Sequence, residues 1–223
     1  MRNRWLIALA AIGLHISIGS VYAWSVLTRP IMADMGFTMS QTTWTFSLAI
    51  LMLGLSAGFL GSFAEKIGPK KSGLLSMVFW VAGLFGTAYA LSIHNLTLLY
   101  LFYGIIGGIG LGIGYITPVS TLVKYFPKRP GFATGLAIMG FGFASLIAGP
   151  LIQFLVAQVG LVNNFIILGI IYLLVMGTSS LYLKAPQPKQ PPRTTKDKST
   201  MYVHNHGMLA NDAMKTWQFG ALW

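Results

Sequence analysis

Apolar residues in this chain come in long uninterrupted runs rather than in the alternations of a half-buried surface. Six runs stand out, at 5–28, 42–64, 72–91, 96–123, 131–157 and 161–183, and none contains Asp, Glu, Lys or Arg. A helix needs about 20 apolar residues to cross the hydrocarbon core of a bilayer. Strands of a membrane barrel would be shorter and would alternate polar with apolar positions. The pattern therefore predicts an all-α membrane protein with six transmembrane helices. The first run is too long for the apolar part of a signal peptide and is not closed by a small-x-small cleavage site, so it is read as a span.

Composition agrees: 55% of the 223 residues are hydrophobic and 9% charged, against roughly 25% charged in a soluble domain. Cysteine is absent, which excludes disulfides and thiol chemistry. The formal charge of +11 would suggest nucleic acid in a soluble protein. Its placement points elsewhere. Of the 15 Lys and Arg residues, all but Arg29 lie before the first run, after the second, after the fourth or after the sixth. Basic connections mark the cytoplasmic side, so both ends of the chain are expected there. The charge is read as topology and attraction to anionic lipid, with no nucleic-acid partner. The expected location is a cell membrane, the cytoplasmic membrane of a prokaryote.

The fourth run contains GIIGGIGLGIGY, residues 104–115, with six glycines in twelve positions. Glycine weakens a helix in water. In lipid, small residues let backbones approach closely. Gly104, Gly108 and Gly112 recur at four-residue spacing, as do Gly110 and Gly114, and each set marks one helix face. The second run offers Gly54, Gly58 and Ser62, and the fifth Gly131, Gly135, Gly140, Gly142 and Gly149. Permanent packing and a smooth sliding surface both fit these stripes. Pro118 and Pro150 lie inside runs and are expected to bend them. Gly149-Pro150 combines a small residue with a kink and suits a hinge, while Pro30, Pro127 and Pro130 are placed at run ends.

Between the second and third runs stands GSFAEKIGPKK, residues 61–71. Gly61 permits close packing, Gly68 permits a reversal, and Glu65 can pair locally with lysine or meet a helix N-terminus. This stretch resembles the cytoplasmic loop motif of the major facilitator superfamily, with Gly61, Glu65, Lys66, Gly68 and Lys70 at the matching places. Glu65 stands where aspartate is usual and Pro69 where a basic residue is common. GFGFASLIAGP, residues 140–150, looks like the antiporter-type motif of the same superfamily, although Leu151 and Ile152 interrupt the glycines that often follow. SIGSVYAWSVLTRPI (17–31), TPVSTLVKYFPKRPGFATG (117–135) and KTWQFGALW (215–223), together with the glycine-rich fourth run, resemble the oxalate:formate antiporter-like branch.

The resemblance implies two related six-helix halves that alternate access to a site near the bilayer midplane, with Glu65 as a gate residue. Residues 1–183 then correspond to an N-terminal six-helix bundle, 184–212 to a flexible cytoplasmic linker, and 213–223 to the start of a seventh, truncated helix. The implied partner is a C-terminal six-helix half, which in the family carries the cationic substrate residues. The expected activity is exchange of small organic anions, inactive without that half; a six-helix scaffold or accessory protein is the alternative.

Within this half, the expected pocket wall is Tyr22, Trp24, Tyr115 and Gln153, because hydroxyl and amide groups can bind a carboxylate and aromatic rings can shape a small cavity. Tyr22 and Trp24 are two residues apart and do not share a helix face. His15, Ser17 and Thr117 lie nearby along the same runs, and His15 is either a proton site or a packed, hydrogen-bonded ring. Trp44 suits the aromatic belt at the membrane boundary. No enzyme constellation, cofactor motif or channel filter is found. His204 and His206 with Asp212 make at best a weak metal site, and no metal is expected.

Overall fold

A computed structural model describes residues 3–186 and Trp217. Of the expected linker, residues 184–186 follow the last helix without regular structure. The rest of that linker and the expected start of a seventh helix, Trp217 aside, lie outside the described residues. So do His204, His206 and Asp212.

Helix α1, Arg4–Gly19, begins under a side-chain cap, with the Trp5 N–H donating to Asn3 Oδ1 at 2.9 Å. It runs through a tight 3-10 turn, Ser20–Ala23, into α2, Trp24–Met35. α2 continues beyond the run end expected at Thr28, so Pro30 lies inside it rather than at a terminus. Gly36 at φ 68° ends it in the left-handed conformation. A reciprocal cap between Thr38 and Gln41 starts α3, Met39–Ile67. Gly68 at φ 81°, ψ 162° is the one residue between α3 and α4, Pro69–Ser92. That backbone region is open essentially to glycine alone, and Pro69 at the first helical position is already set for a helix.

Asn95 caps a short α5, Leu96–Leu99, which passes through a π-helical stretch, Tyr100–Gly107, into α6, Gly108–Tyr125. α7, Pro130–Gly142, is followed by α8, Ala144–Tyr182. Phe143 separates the two, and Gly160 at φ 82°, ψ 172° interrupts α8. Helical structure passes through Pro118 and Pro150, and the breaks in regular helix in this part of the chain fall at Phe143 and Gly160.

Five helical segments are long and apolar enough to cross a membrane: Arg4–Met35, Met39–Ile67, Pro69–Ser92, Leu96–Tyr125 and Pro130–Tyr182. The expected fifth and sixth spans share the last of these. The chain is an all-α, multi-pass membrane protein. α1 sits centrally against α6, α7 and α8, and α4 packs on α6 and α8. Ile7, Ala11, Leu14 and Ile18 on α1 are wholly buried. α3 instead exposes Leu51, Leu55, Phe59 and Phe63, and α8 exposes Leu146, Ile147 and Phe154. Such broad apolar surface suits lipid or another protein, not water.

Two neighbours approach α6 closely. A Cβ at Gly108 would stand 2.6 Å from Met52 Cβ and 2.8 Å from the Ala49 carbonyl oxygen on α3. One at Gly112 would meet Ser56 and the Leu53 carbonyl on the same helix. On the other face, a Cβ at Gly110 would lie 2.6 Å from the Trp80 backbone nitrogen of α4. Serines stand at both crossings: Ser76 Oγ donates to the Gly110 carbonyl at 2.7 Å, and Ser56 Oγ, which donates to the Leu53 carbonyl of its own helix at 3.2 Å, lies 3.4 Å from the Gly108 carbonyl. The two glycine stripes of α6 thus face two different helices. By contrast, Gly54, Gly58, Gly131, Gly135 and Gly142 have nothing within 4 Å of a built Cβ.

Candidate functional site

Two clusters bring together the polar and aromatic residues of interest. The first forms where the 3-10 turn after α1 meets α6 and α7. Tyr22 projects from the turn and is 45% exposed, so its ring borders open space rather than the core. Phe141 of α7 lies between the two tyrosines, with ring centroids 5.2 Å from Tyr22 and 5.1 Å from Tyr115, both edge-on. His15 stacks behind Tyr115 at 5.7 Å and 23° and touches Phe141 at 5.8 Å. Two phenol hydroxyls therefore flank one apolar ring, an arrangement that can donate hydrogen bonds to an anion at an otherwise uncharged surface.

Trp24 and Gln153 do not join this cluster. Trp24 is 3% exposed, and its indole N–H donates to the Thr42 carbonyl at 3.2 Å. Its ring packs on Tyr103 at 4.3 Å, and Tyr103 in turn contacts Trp80 and Phe165. Trp24 therefore anchors α2 to α3 and to the bundle core. The two-residue spacing from Tyr22 sends one ring outward and the other inward. Gln153 is exposed on α8. Trp44 is 58% exposed on α3.

The second cluster surrounds the α3–α4 turn. Glu65 near the end of α3 pairs with Lys124 near the end of α6 at 3.4 Å, and both side chains are about half exposed (50% and 53%). The acid thus reaches a cation on another helix, although three lysines adjoin it in sequence. Lys66, Lys70 and Lys71 are exposed. Gly61 carries a near contact with Ile116 of α6, whose Cδ1 would lie 3.0 Å from an added Cβ. One turn inside α4, the Ser72 and Thr117 hydroxyl oxygens are 2.6 Å apart. Thr117 donates to the Ile113 carbonyl at 2.9 Å, so Ser72 is the donor to Thr117. A small pocket between Glu65, Gly68, Thr117 and Lys124 is closed on one side by Ala185 and Pro186. Tyr125 holds that segment by donating to the Lys184 carbonyl at 2.9 Å.

Gly149 is buried with only Val26 near an added Cβ, at 3.9 Å, and Pro150 beside it is exposed. Among the described residues no group of acids and histidines could hold a metal ion.

Residues 7–219 of the chain match the family model for the Major Facilitator Superfamily. The chain belongs to the Major Facilitator Superfamily. That superfamily consists of transporters rather than enzymes. Its curated relatives include an uncharacterized MFS-type transporter, YhjX, of Escherichia coli K12, 33% identical over 194 residues, which are 87% of this chain and 47% of the relative. Human monocarboxylate transporter 14 is 29% identical over 174 residues, 76% of this chain and 33% of that protein. The oxalate:formate antiporter of Oxalobacter formigenes is 25% identical over 223 residues, 99% of this chain and 51% of the antiporter. The chain spans about half or less of the length of these relatives.

Two members of the two clusters, and one core residue beside them, escape sequence reasoning in this superfamily member. Phe141 carries no polar signal, and its role as the spacer between Tyr22 and Tyr115 follows only from the packing of α7 on α1. Lys124 reads as a topology charge until α6 is laid beside α3. Trp80, whose indole donates to the Ser17 carbonyl at 3.2 Å, ties α4 to α1 and reads in sequence as one more apolar residue.

Proposed function

We propose that the chain forms the N-terminal bundle of a secondary transporter that exchanges small organic anions by alternating access, working with a second bundle. The observation that carries this reading is the Tyr22–Phe141–Tyr115 face. In it the exposed Tyr22 and the partly exposed Tyr115 flank a buried Phe141, on a bundle whose six apolar runs hold no Asp, Glu, Lys or Arg. Tyr22 and Tyr115 supply hydrogen bonds to a carboxylate, and Phe141 sets their separation. Trp24 supports the wall from the core side and Gln153 lies outside it. The names of two relatives, an oxalate:formate antiporter and a monocarboxylate transporter, support carboxylates as the class. The second bundle would bring the positive charge that these spans lack.

The bundle is proposed to cross the membrane six times. α8 alone has 39 residues, roughly 58 Å of helix, against a hydrocarbon core of about 30 Å. Gly160 adopts nearly the same glycine-only conformation as Gly68, the single residue between α3 and α4. The same device would reverse the chain between 144–159 and 161–182. Six crossings place the Gly68 turn, the 126–129 connection and residues 184–186 together on the cytoplasmic side. Glu65 and Lys124 then meet on that side as a gate contact, with Gly61, Lys66, Gly68 and Lys70 shaping the turn around it. The glycine crossings of α6 hold the bundle as one body, and Gly149-Pro150 lies where α8 has room to move.

Exchange of labelled small carboxylates in proteoliposomes tests this reading, with the chain reconstituted beside a second bundle and folding of both verified. Uptake that needs internal carboxylate and weakens in Tyr22→Phe and Tyr115→Phe is expected. No exchange with any of several carboxylates from a verified pair would overturn it and favour a scaffold role.

A further inference from the structure

His15 sits in the C-terminal half of α1 with no exposed surface. Its Nδ1 lies 2.6 Å from the carbonyl oxygen of Ala137 on α7, and its Nε2 lies 3.0 Å from that of Tyr115 on α6. A carbonyl oxygen only accepts. A neutral imidazole carries one N–H, so it can donate to one of these oxygens and must turn a lone pair toward the other. The ring satisfies both contacts only when both nitrogens are protonated. We propose that His15 is a proton-binding site inside the bundle, and that its doubly protonated ring staples α1 to α6 and α7 at once.

The surroundings fit a proton that comes and goes. Charge at a buried position is costly, and the two carbonyl dipoles and the stacked face of Tyr115 oppose that cost. No carboxylate is present to hold the charge permanently: α1, α6, α7 and α8, the helices around His15, contain no Asp or Glu. Their cations, Arg4 on α1 and Lys124 on α6, stand at helix ends. The remaining titratable groups of the elements packed there are tyrosines: Tyr115 and Tyr125 on α6, Tyr22 in the 3-10 turn, Tyr172 and Tyr182 on α8. α7 offers none. The proton comes from water and returns to it, with no other bond made or broken. As pH rises and the ring gives up one proton, either the Ala137 or the Tyr115 contact loses its hydrogen. The helix released is then α7, which carries Phe141, or α6, which carries Tyr115. Proton occupancy would thus set how tightly the aromatic face is held, whatever substrate the face meets.

The test needs no substrate, so it stands or falls apart from the carboxylate reading. The whole chain is placed in lipid nanodiscs with ¹⁵N-labelled histidine, and the ring nitrogens are followed between about pH 5 and 8. The variant His94→Gln, His204→Gln, His206→Gln leaves His15 as the one signal, and His15→Gln confirms the assignment. Both nitrogens of His15 are expected to be protonated at the acid end and one of them deprotonated at the alkaline end. A spin-label distance from α1 to α6 or to α7 is expected to lengthen over the same range, with that change abolished in His15→Gln. A single neutral tautomer throughout, or a doubly protonated ring throughout, would overturn the proposal. So would a helix distance that changes identically in His15→Gln. If His15→Gln fails to fold, the triple variant alone still decides the protonation states.

Discussion

Glu65 and Lys124 sit 3.4 Å apart with their side chains half in solvent, and exposed pairs of this kind contribute roughly 0.2–1 kcal/mol. The contact therefore matters for which helices it joins more than for stability. Glu65→Gln is expected to shift the melting temperature little while raising cytoplasmic labelling of a cysteine placed at Thr121. The double exchange Glu65→Lys, Lys124→Glu should restore protection, and unchanged labelling in Glu65→Gln would count against a gate role. Tyr22 and Trp24 separate in a different way. Removing a hydroxyl in Tyr22→Phe should raise the KM for carboxylate with little effect on unfolding. Trp24→Phe loses a buried bond to the Thr42 carbonyl and some packed volume, and is expected to cost about 1–3 kcal/mol with KM near that of the parent. Thermal melts beside exchange kinetics read both. Tyr22 and Tyr115 stand out by residue type, because a phenol is one of few donors in an uncharged span, and the structure brings both against Phe141. Which of Tyr22 and Trp24 faces outward was not legible. It depends on the 3-10 turn at Ser20–Ala23, and nothing in the local spacing distinguishes that turn from continued α-helix.

At the scale of helices, glycine spacing identified faces but not their neighbours. Gly104, Gly108 and Gly112 meet α3, and Gly110 and Gly114 meet α4, as the four-residue repeats suggested. The equally regular Gly54 and Gly58 of α3 and Gly131 and Gly135 of α7 point into open space. A stripe of small residues shows where a backbone can approach, and only the assembled bundle shows where one does. Alanine separates the two kinds. Gly110→Ala would drive a methyl into the backbone of Trp80 and should destabilise by about 1–3 kcal/mol, whereas Gly54→Ala should be neutral or slightly stabilising through helix propensity. Unfolding in mixed micelles measures the difference. Proline and glycine act differently on α8, which continues helically through Pro150 and is interrupted at Gly160. A cyclic side chain removes one hydrogen bond that lipid-embedded helices can replace, but a glycine-only backbone angle excludes every other residue. Gly160→Ala should accordingly cost about 1–3 kcal/mol despite the open space around it.

Across the whole molecule, the long uncharged runs made the membrane class and the helical content plain before any coordinates. Their number is harder to read, because the last two runs are separated by Gln158, Val159 and Gly160 alone, with no charge to mark a boundary. The 53-residue segment Pro130–Tyr182 joins them, and everything proposed about the gate and the aromatic wall depends on how often that segment crosses. The chain has no native cysteine, so single cysteines can be placed at Lys70, Lys128, Lys184, His94 and Gln158 and labelled from one side of sealed vesicles with a membrane-impermeant maleimide. Six crossings with alternating connections require Lys70→Cys, Lys128→Cys and Lys184→Cys to label together from the cytoplasmic side, and His94→Cys and Gln158→Cys from the opposite side. Labelling of Lys128→Cys and Lys184→Cys from opposite sides would contradict it.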